Sequence, residues 1–386
     1  MRRITVAVAL ALLIAALAAA AAAAAAPARV LPGWPKSVGA GTVHQGPGGG
    51  IVVVSQDAFE YTVRAFRRDG GNLWTSRRTA ACGNCDDGPQ PEALQPDGTY
   101  GPIGAEGDDI WAVDDRGRVV TGCAGVVLPD GSCFVGGRRV DAGFAGFPAI
   151  LGRPAAAPPW TAWDDRYEWQ DDFDVPPMTV RDGAGVVYAA FSAPLDRASG
   201  NRLSGLLMAV DPDARTILWT RIGPVQALTA LGSGVLVGRD GGIAAIGPGG
   251  ADRWTRPLPP GQRVSPAGAI FDAARDRLHI SRSGGGAPGV TALVASTGAQ
   301  AWRTRPRDRA RLLSVGRGGR VYLAVDATAR RAIRGVRFAD GSTAWQRRTS
   351  QEVRGARELA DGTVAVSAGA RFSSGSADRL TLLDPR

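Results

Sequence analysis

The chain has 386 residues, 44% of them hydrophobic and 21% charged, with a formal net charge of +9. That composition supports a substantial core, as one large β domain or two smaller ones. The positive charge is almost entirely arginine, with Lys36 the only lysine. Beside the alanine and glycine excess this reads as coding bias, so net charge is no argument for a nucleic-acid partner.

Arg2 and Arg3 precede an apolar run to about Ala20 and a small-residue stretch ending near Ala28, the layout of a secretory signal. Residues 1–26 are assigned to a signal peptide and 27–386 to the mature domain, secreted or held at the cell surface. An uncleaved anchor, the only route to a membrane, is the alternative, since about 20 apolar residues suffice to cross a bilayer. No cysteine precedes Cys82, which excludes a lipid-modified N-terminal cysteine.

Beyond "VLPGWPKSVGAG", which carries Trp34, one pattern recurs. "AFRRDGGNLWTSR" sets apolar residues before a turn and then a short strand with Trp74. "AVDPDARTILWTR" repeats it with Trp219, "AIGPGGADRWTR" with Trp254, "LVASTGAQAWRTR" with Trp302 and "VRFADGSTAWQRR" with Trp345. Gly70, Gly250, Gly298 and Gly341 stand four residues before their tryptophans, where a tight hairpin needs positive φ. Alternating apolar segments such as "GIVVVSQ", "GVVYAAFS" and "RVYLAV" precede each turn. A weaker copy, "DDIWAVDD" followed by "VVLPDGSCFVGG", puts Phe134 in the tryptophan position.

Units of three or four short strands at an interval of about 40 residues predict the blades of an all-β propeller. Trp34, Trp74, Phe134, Trp219, Trp254, Trp302 and Trp345 mark about seven four-stranded blades in one domain, with insertions at about 79–100 and 139–180. An eighth blade within 139–180 is the alternative. The C-terminal "RLTLLDPR" matches "LLMAVDPD" and stops before its tryptophan strand, which the Trp34 segment supplies. The N-terminal strand is therefore expected to pair with the C-terminal blade.

The Ala-x-Asp-x-x-x-Gly-x-x-x-Trp style of these units, with Asp211 the best match to its aspartate, resembles the PQQ-like, or quinoprotein-like, β-propeller repeat. It is closest in style to non-catalytic members such as the outer-membrane-assembly propeller lipoprotein. The resemblance implies that Trp34, Trp74, Trp219, Trp254, Trp302 and Trp345 dock one blade on the next, and it leaves the cofactor open. Catalytic members add a quinone on a tryptophan, a carboxylate base and a Ca²⁺ cluster, and no such cluster is recognisable here.

Other candidates are weighed by their chemistry. Cys82, Cys85, Cys123 and Cys133 form an even set in an exported chain and read as two disulfides of open connectivity. "CGNC" runs into acids, glycine and proline and lacks the helix that activates a redox thiol, and the second pair lacks zinc-knuckle spacing. His44 and His279 come with no nucleophile motif, so no catalytic residue and no metal ligand is assigned. The arginines of "WRTRPRDRAR" read as a solvated inter-blade segment, with a polyanion-facing patch as the functional alternative. The most distinctive stretch is "PPWTAWDDRYEWQDDFD", whose aromatics lie off the repeat register. Trp160, Trp163, Asp164, Asp165, Tyr167, Trp169, Asp171 and Asp172 are its candidate contacts for a protein or glycan partner. The expected function is a monomeric, non-enzymatic binding or scaffolding propeller. A quinoprotein-type oxidoreductase using PQQ and Ca²⁺ is the alternative.

Overall fold

Short apolar strands closed by hairpin turns fold into successive antiparallel sheets. The computed structural model describes residues 28–38, 41–56, 60–79, 93–94, 99–106, 109–121, 126–128, 133–135, 149–151, 160–161, 164, 166–168, 178–192, 194–285, 288–327, 330–369 and 379–385. Residues 1–26, the signal peptide of the sequence reading, lie outside this set.

Blade 1 comprises Gly41–Gln45, Ile51–Gln56, Glu60–Phe66 and Asn72–Thr79, and blade 2 comprises Ala93–Leu94, Tyr100–Glu106, Asp109–Val113 and Val119–Thr121. Blade 3 is built of Val126–Val127, Cys133–Val135, Ala149–Leu151 and Trp160–Thr161. Blade 4 follows with Met178–Arg181, Val187–Phe191, Leu206–Asp211 and Thr216–Ile222, and blade 5 with Ala227–Ala230, Val235–Arg239, Gly242–Ile246 and Asp252–Pro257. Blade 6 has Gln262–Asp272, Arg277–Gly284, Gly289–Val294 and Gln300–Arg303; blade 7 has Ala310–Val315, Arg320–Ala327, Arg330–Arg337 and Thr343–Thr349. In blade 8, Val353–Glu358, Val364–Ala368 and Arg379–Asp384 are joined by Arg29–Val30 and Lys36–Ser37, both paired with Arg379–Asp384. The N-terminal segment thus supplies the outer strand of the last blade.

The described sheets make eight blades, the larger of the two numbers the repeat allowed. The marker at Phe134 needs correction: Phe134 lies in the second strand of blade 3, paired with Val126 and Ile150. Ile150 in turn pairs with Trp160 in the outer strand, so Trp160 takes the tryptophan position that sequence reading placed off register. Residues read as insertions at 79–100 and 139–180 contribute blade strands, and the outer strand of blade 2, Val119–Thr121, carries no tryptophan. Both errors have one cause, since strands of two or three residues are too short to show a period.

Each repeat tryptophan pairs with a small residue on the third strand: Ala65 with Trp74, Ala209 with Trp219, Ala245 with Trp254, Ala292 with Trp302, Gly335 with Trp345. A register shift follows each of these third-strand residues, and such a bulge turns the side chain out of the sheet plane. The indole then reaches the next blade. Trp34 Nε1 donates to Arg68 O (3.0 Å), Trp74 to Asp115 O (3.1 Å), Trp219 to Pro248 O (2.6 Å), Trp254 to Ala295 O (2.8 Å) and Trp302 to Phe338 O (2.8 Å). All the acceptors lie in the third-to-outer hairpin turn of the following blade.

The glycine of that turn is needed twice over. Gly298 has φ 71° and Gly341 φ 69°, and a Cβ on either would sit 2.7 Å from the indole of Trp254 or Trp302. In blade 4 the same turn place is held by Arg215, strained at φ 57°.

Blade 8 has no such turn, because its third strand is the C-terminus and its outer strand the N-terminus. Trp345, 2% exposed, accordingly has an Nε1 with no hydrogen-bond partner among the described residues. The rest of the seam is well packed. Trp34, Val38, Val43, Phe66, Leu380 and Leu382 share one buried cluster across blades 8 and 1, and Ala28 joins Trp345 in the cluster across blades 7 and 8. Arg68 of blade 1 also reaches Asp361 and Thr363 of blade 8.

This difference is measurable. Replacing Trp302 by Phe removes a part-buried hydrogen bond and orphans the Phe338 carbonyl, whereas Trp345→Phe removes an N–H that has no partner. Urea unfolding should show the Trp302 variant to be destabilised by about 1–2 kcal/mol more than the Trp345 variant. Equal losses would mean that ring burial alone sets the value of the contact.

Candidate functional site

The aromatic and acidic segment named from sequence is fixed to blade 4 by two contacts. Tyr167 and Glu168 pair in a two-stranded ribbon with Leu195 and Asp196, which lie between the second and third strands of that blade. The Tyr167 ring is 6% exposed and packs with Ala189, Phe191, Leu206 and Met208. Beside it Asp164 binds Arg166 through Nε at 2.9 and 3.1 Å, and Arg166 also donates to Thr220 Oγ1 (3.2 Å). Hydrogen bonding to Arg166 holds the Asp164 carboxyl below the usual carboxylate range. The Arg166 guanidinium lies 5.4 Å from the centre of the Tyr167 ring.

At the base of this ribbon is an open cleft of about 470 Å³, lined by Arg166, Tyr167, Asp196, Arg197, Ala198 and Ile222. Ile222 is 58% exposed, the most exposed large apolar side chain of the described residues. A tyrosine edge, an exposed aliphatic and two arginines with an aspartate form a surface suited to a peptide or sugar and carry no nucleophile. Of the candidate residues, Asp164 and Tyr167 lie here. Trp160 is described only through its place in the outer strand of blade 3, and Trp163, Asp165, Trp169, Asp171 and Asp172 lie outside the described residues. Arg166, Asp196, Arg197 and Ile222 were missed, having no sequence signal apart from the fold that gathers them.

The cysteine assignment falls in the same gap: Cys82, Cys85 and Cys123 lie outside the described residues, and Cys133 is described only as the start of a blade 3 strand. The arginine-rich stretch does not form one extended face. Residues Pro306–Asp308 make a 3₁₀ turn, Asp308 pairs with Arg334 at 2.8 Å, and Arg311 donates to Val353 O of blade 8 (2.6 Å).

Buried polar groups elsewhere tie blades together. Asp182 accepts from the Tyr188 hydroxyl (3.0 Å) and from Gly234 N–H (2.7 Å) of blade 5. Glu358 of blade 8 accepts from Tyr322 and from Gly318 N–H (3.1 Å) of blade 7. Burial raises both phenols, and the adjacent carboxylates add to the rise. Among the described residues no three His, Cys, Asp or Glu side chains gather to hold a metal ion.

The two histidines sit apart, in blades 1 and 6. His279 pairs with Ala292 opposite Trp302, the place that Val52, Tyr188, Leu236 and Tyr322 occupy in other blades. It is fully buried, its ring tilted against Trp302 at 5.6 Å and edge-on to Phe338 at 5.7 Å, and neither ring nitrogen has a hydrogen-bond partner among the described residues. Burial lowers its pKa from 6.5 to about 4, Asp272 opposing the shift and Arg277 adding to it. His44 is lowered to about 4 by burial and by Arg357, and its Nε2 lies 3.1 Å from Thr42 Oγ1.

Below pH 6.5 the unfolded chain takes up a proton that folded His279 refuses until about pH 4, so stability falls across that window. His279→Leu, which installs the residue blade 5 uses at this place, should remove up to about 3 kcal/mol of the loss seen between pH 7 and pH 4 in urea titrations. An unchanged pH slope would mean that this imidazole charges freely in the fold.

Comparison with known proteins bears on the architecture. A family model described as outer membrane protein assembly factor BamB matches residues 203–386, the half with the clearest repeats. No curated protein matches the chain. Among solved structures, the quinohemoprotein alcohol dehydrogenase from Comamonas testosteroni is 13% identical over 92% of this chain and 76% of its own, with a TM-score of 0.56. BamB from Moraxella catarrhalis is 12% identical over 92% of this chain and 99% of its own, with a TM-score of 0.39. At 13% identity the likeness to the dehydrogenase speaks to the fold alone. With its recurring tryptophan, its four-stranded sheets and the family match over residues 203–386, the chain is similar to the PQQ-like β-propeller family.

Proposed function

We propose that the protein is an exported, monomeric binding or scaffolding module of the cell surface that recognises a protein or glycan through the rim segment 158–174 and the cleft beneath it. The observation that carries this reading is the anchoring of the segment at Tyr167 and Asp164. These two contacts fix Asp164, Arg166 and Tyr167 beside a concave surface, which lowers the entropy lost when a partner docks there. Export rests on the signal-like residues 1–26 and agrees with the family match.

The indoles support a structural use of the propeller. A quinone cofactor needs an open tryptophan face, and the described repeat indoles are wedged between blades with their edges bonded to the next turn. These residues do not fit a cofactor floor. For the oxidoreductase alternative, adding PQQ and Ca²⁺ and looking for a bound quinone absorbance band decides the matter: uptake would favour an enzyme.

The contact surface is tested without touching its anchors. Trp163→Ala, Trp169→Ala and Asp171→Asn, with Trp160 and Tyr167 left in place, should lower retention on glycan arrays or of crosslinked surface proteins by about 10- to 100-fold. Wild-type retention by all three variants, at unchanged Tm, would remove the segment from the binding surface.

A further inference from the structure

The seam between blades 8 and 1 holds a second concave site, which nothing above uses. It is a cavity of about 780 Å³ between the N-terminal strand and the outer hairpin of blade 1. Lys36, Arg64 and Arg77 stand in its wall with Ser37, Asn72 and Thr75, and among the described residues no carboxylate lines it. Phe66, packed edge-on to Trp34 at 5.9 Å, adds an apolar side.

Other blades show how these cations are answered. The residue two after a repeat tryptophan lies on the same strand face, and in blades 4 and 5 it reaches the next blade. Arg221 donates to Gly250 O (2.9 Å) and to Asp252 (2.6 Å), and Arg256 donates to Gly298 O (3.1 Å). At the seam that place belongs to Lys36, against Gly70, and the counterpart of Asp252 is Asn72.

The residue before each small third-strand partner is Met208, Ala244 or Thr291 in blades 4 to 6 and Arg334 in blade 7, where Asp308 in the preceding connection neutralises it at 2.8 Å. Arg64 is the blade 1 counterpart, and its preceding connection is Val38-Gly39-Ala40, which offers no acid. Its Nε is buried without a hydrogen-bond partner among the described residues. Asp69, the carboxylate on the adjoining turn, is 71% exposed; it accepts from Gly71 N–H (2.8 Å), pairs with Arg67 (3.5 Å) and also feels the charge of Lys36. Arg64 thus lacks the carboxylate that answers Arg334, and Lys36 has an amide where Arg221 has Asp252, with the exposed Asp69 as its nearby acid.

We infer that this seam cavity binds a molecule bearing phosphate or sulfate ester groups. Guanidinium forks and an ammonium supply charge-assisted donors, and Ser37, Thr75 and Asn72 offer neutral ones, the set that matches tetrahedral oxyanion oxygens. The site stands independently of the rim segment, and either can fail without the other. A ligand here bridges the N-terminal strand to blade 1 and so links binding to the integrity of the seam.

The lone lysine makes the test direct, because Lys36 carries the chain's only ε-amino group. The full chain is acylated with an amine-reactive ester, and the rate at Lys36 is followed by mass spectrometry with millimolar inorganic pyrophosphate, with sucrose octasulfate, or with sodium chloride of equal ionic strength. Protection of about fivefold or more over the salt control by either oxyanion is expected. Protection by pyrophosphate alone assigns a phosphate ligand, and protection by the octasulfate alone a sulfated one. Vesicles containing phosphatidylglycerol form a further arm, and protection by them as well as by pyrophosphate assigns the phosphate to a lipid headgroup. Arg64→Gln with Arg77→Gln should abolish the protection, while Arg256→Gln, at the corresponding seam of blades 5 and 6, should leave it intact. No protection beyond salt in the wild-type protein, or protection that survives the double substitution, overturns the assignment.

Discussion

The whole architecture depends on one contact, an indole edge donating to the backbone of the neighbouring blade's turn. A four-stranded sheet cannot bury both faces alone, so each blade must be held at a set distance and angle from the next. The tryptophan does both, because its rings bury area and its N–H demands an acceptor in one direction. Three further sequence features follow from it. The residue across the ladder must be small for the ring to lie flat, hence Ala65, Ala209, Ala245, Ala292 and Gly335. The ladder must shift beside it to aim the ring, and the receiving turn needs a residue without Cβ at positive φ. The motif is therefore a single mechanical device spread over two blades, and its glycine serves the tryptophan of the blade before it.

Such a device cannot be complete everywhere in a chain with two ends. The turn that would accept from Trp345 is the place where the chain is interrupted, between Asp384 and Arg29. Burial of the ring is kept, and Arg347 of blade 7 reaches the Ala28 carbonyl at 2.6 Å, so the N-terminus itself replaces part of what the turn supplies. On the other side Trp34 makes its full contact with blade 1, although it lies between two short strand segments instead of within one. The interruption thus removes one acceptor and leaves the packing continuous. That is a modest loss for an aromatic whose truncation to alanine costs about 3–5 kcal/mol in an ordinary core.

Much of this was legible in the sequence, and what was not has physical causes. The tryptophans at 34, 74, 219, 254, 302 and 345, the turn glycines and the pairing of the two ends could be read because each depends on a local pattern at fixed spacing. Trp160 could not, because its third-strand partner is Ile150 instead of a small residue and its flanking strands are two and three residues long. Phe134 misled for a related reason: it is an aromatic in the column behind the tryptophan, the column that Tyr188, His279 and Tyr322 fill elsewhere. That column accepts any large residue. His279 shows how little its chemistry matters, since a ring of the right size is kept neutral there by burial without a single hydrogen bond. Of the rim site, the segment could be named from composition, but the burial of Tyr167 and the cleft beneath it come from the ribbon with Leu195 and Asp196, which local pattern does not encode.

The chain's charge carries the same lesson at finer grain. Its excess of arginine looked featureless, yet the repeat gives each arginine a reference position against which its partner can be checked. Two residues past a tryptophan the side chain returns to the same strand face and overlies the next turn. Arg221 and Arg256 find a glycine carbonyl and a polar side chain there, Asp252 and Gln300 respectively. At the same place Lys36 puts a compact ammonium where those two have a planar fork, beside Asn72 and the exposed Asp69 of the adjoining turn. A composition set by coding bias gives no reason for a single lysine, and a docking role would be met by the arginine used elsewhere. The departure falls where the two ends of the chain meet, beside a cavity in which Arg64 also lacks the acid that its blade 7 counterpart has. Comparison of a propeller with itself therefore separates charges that belong to the fold from charges available to something outside it.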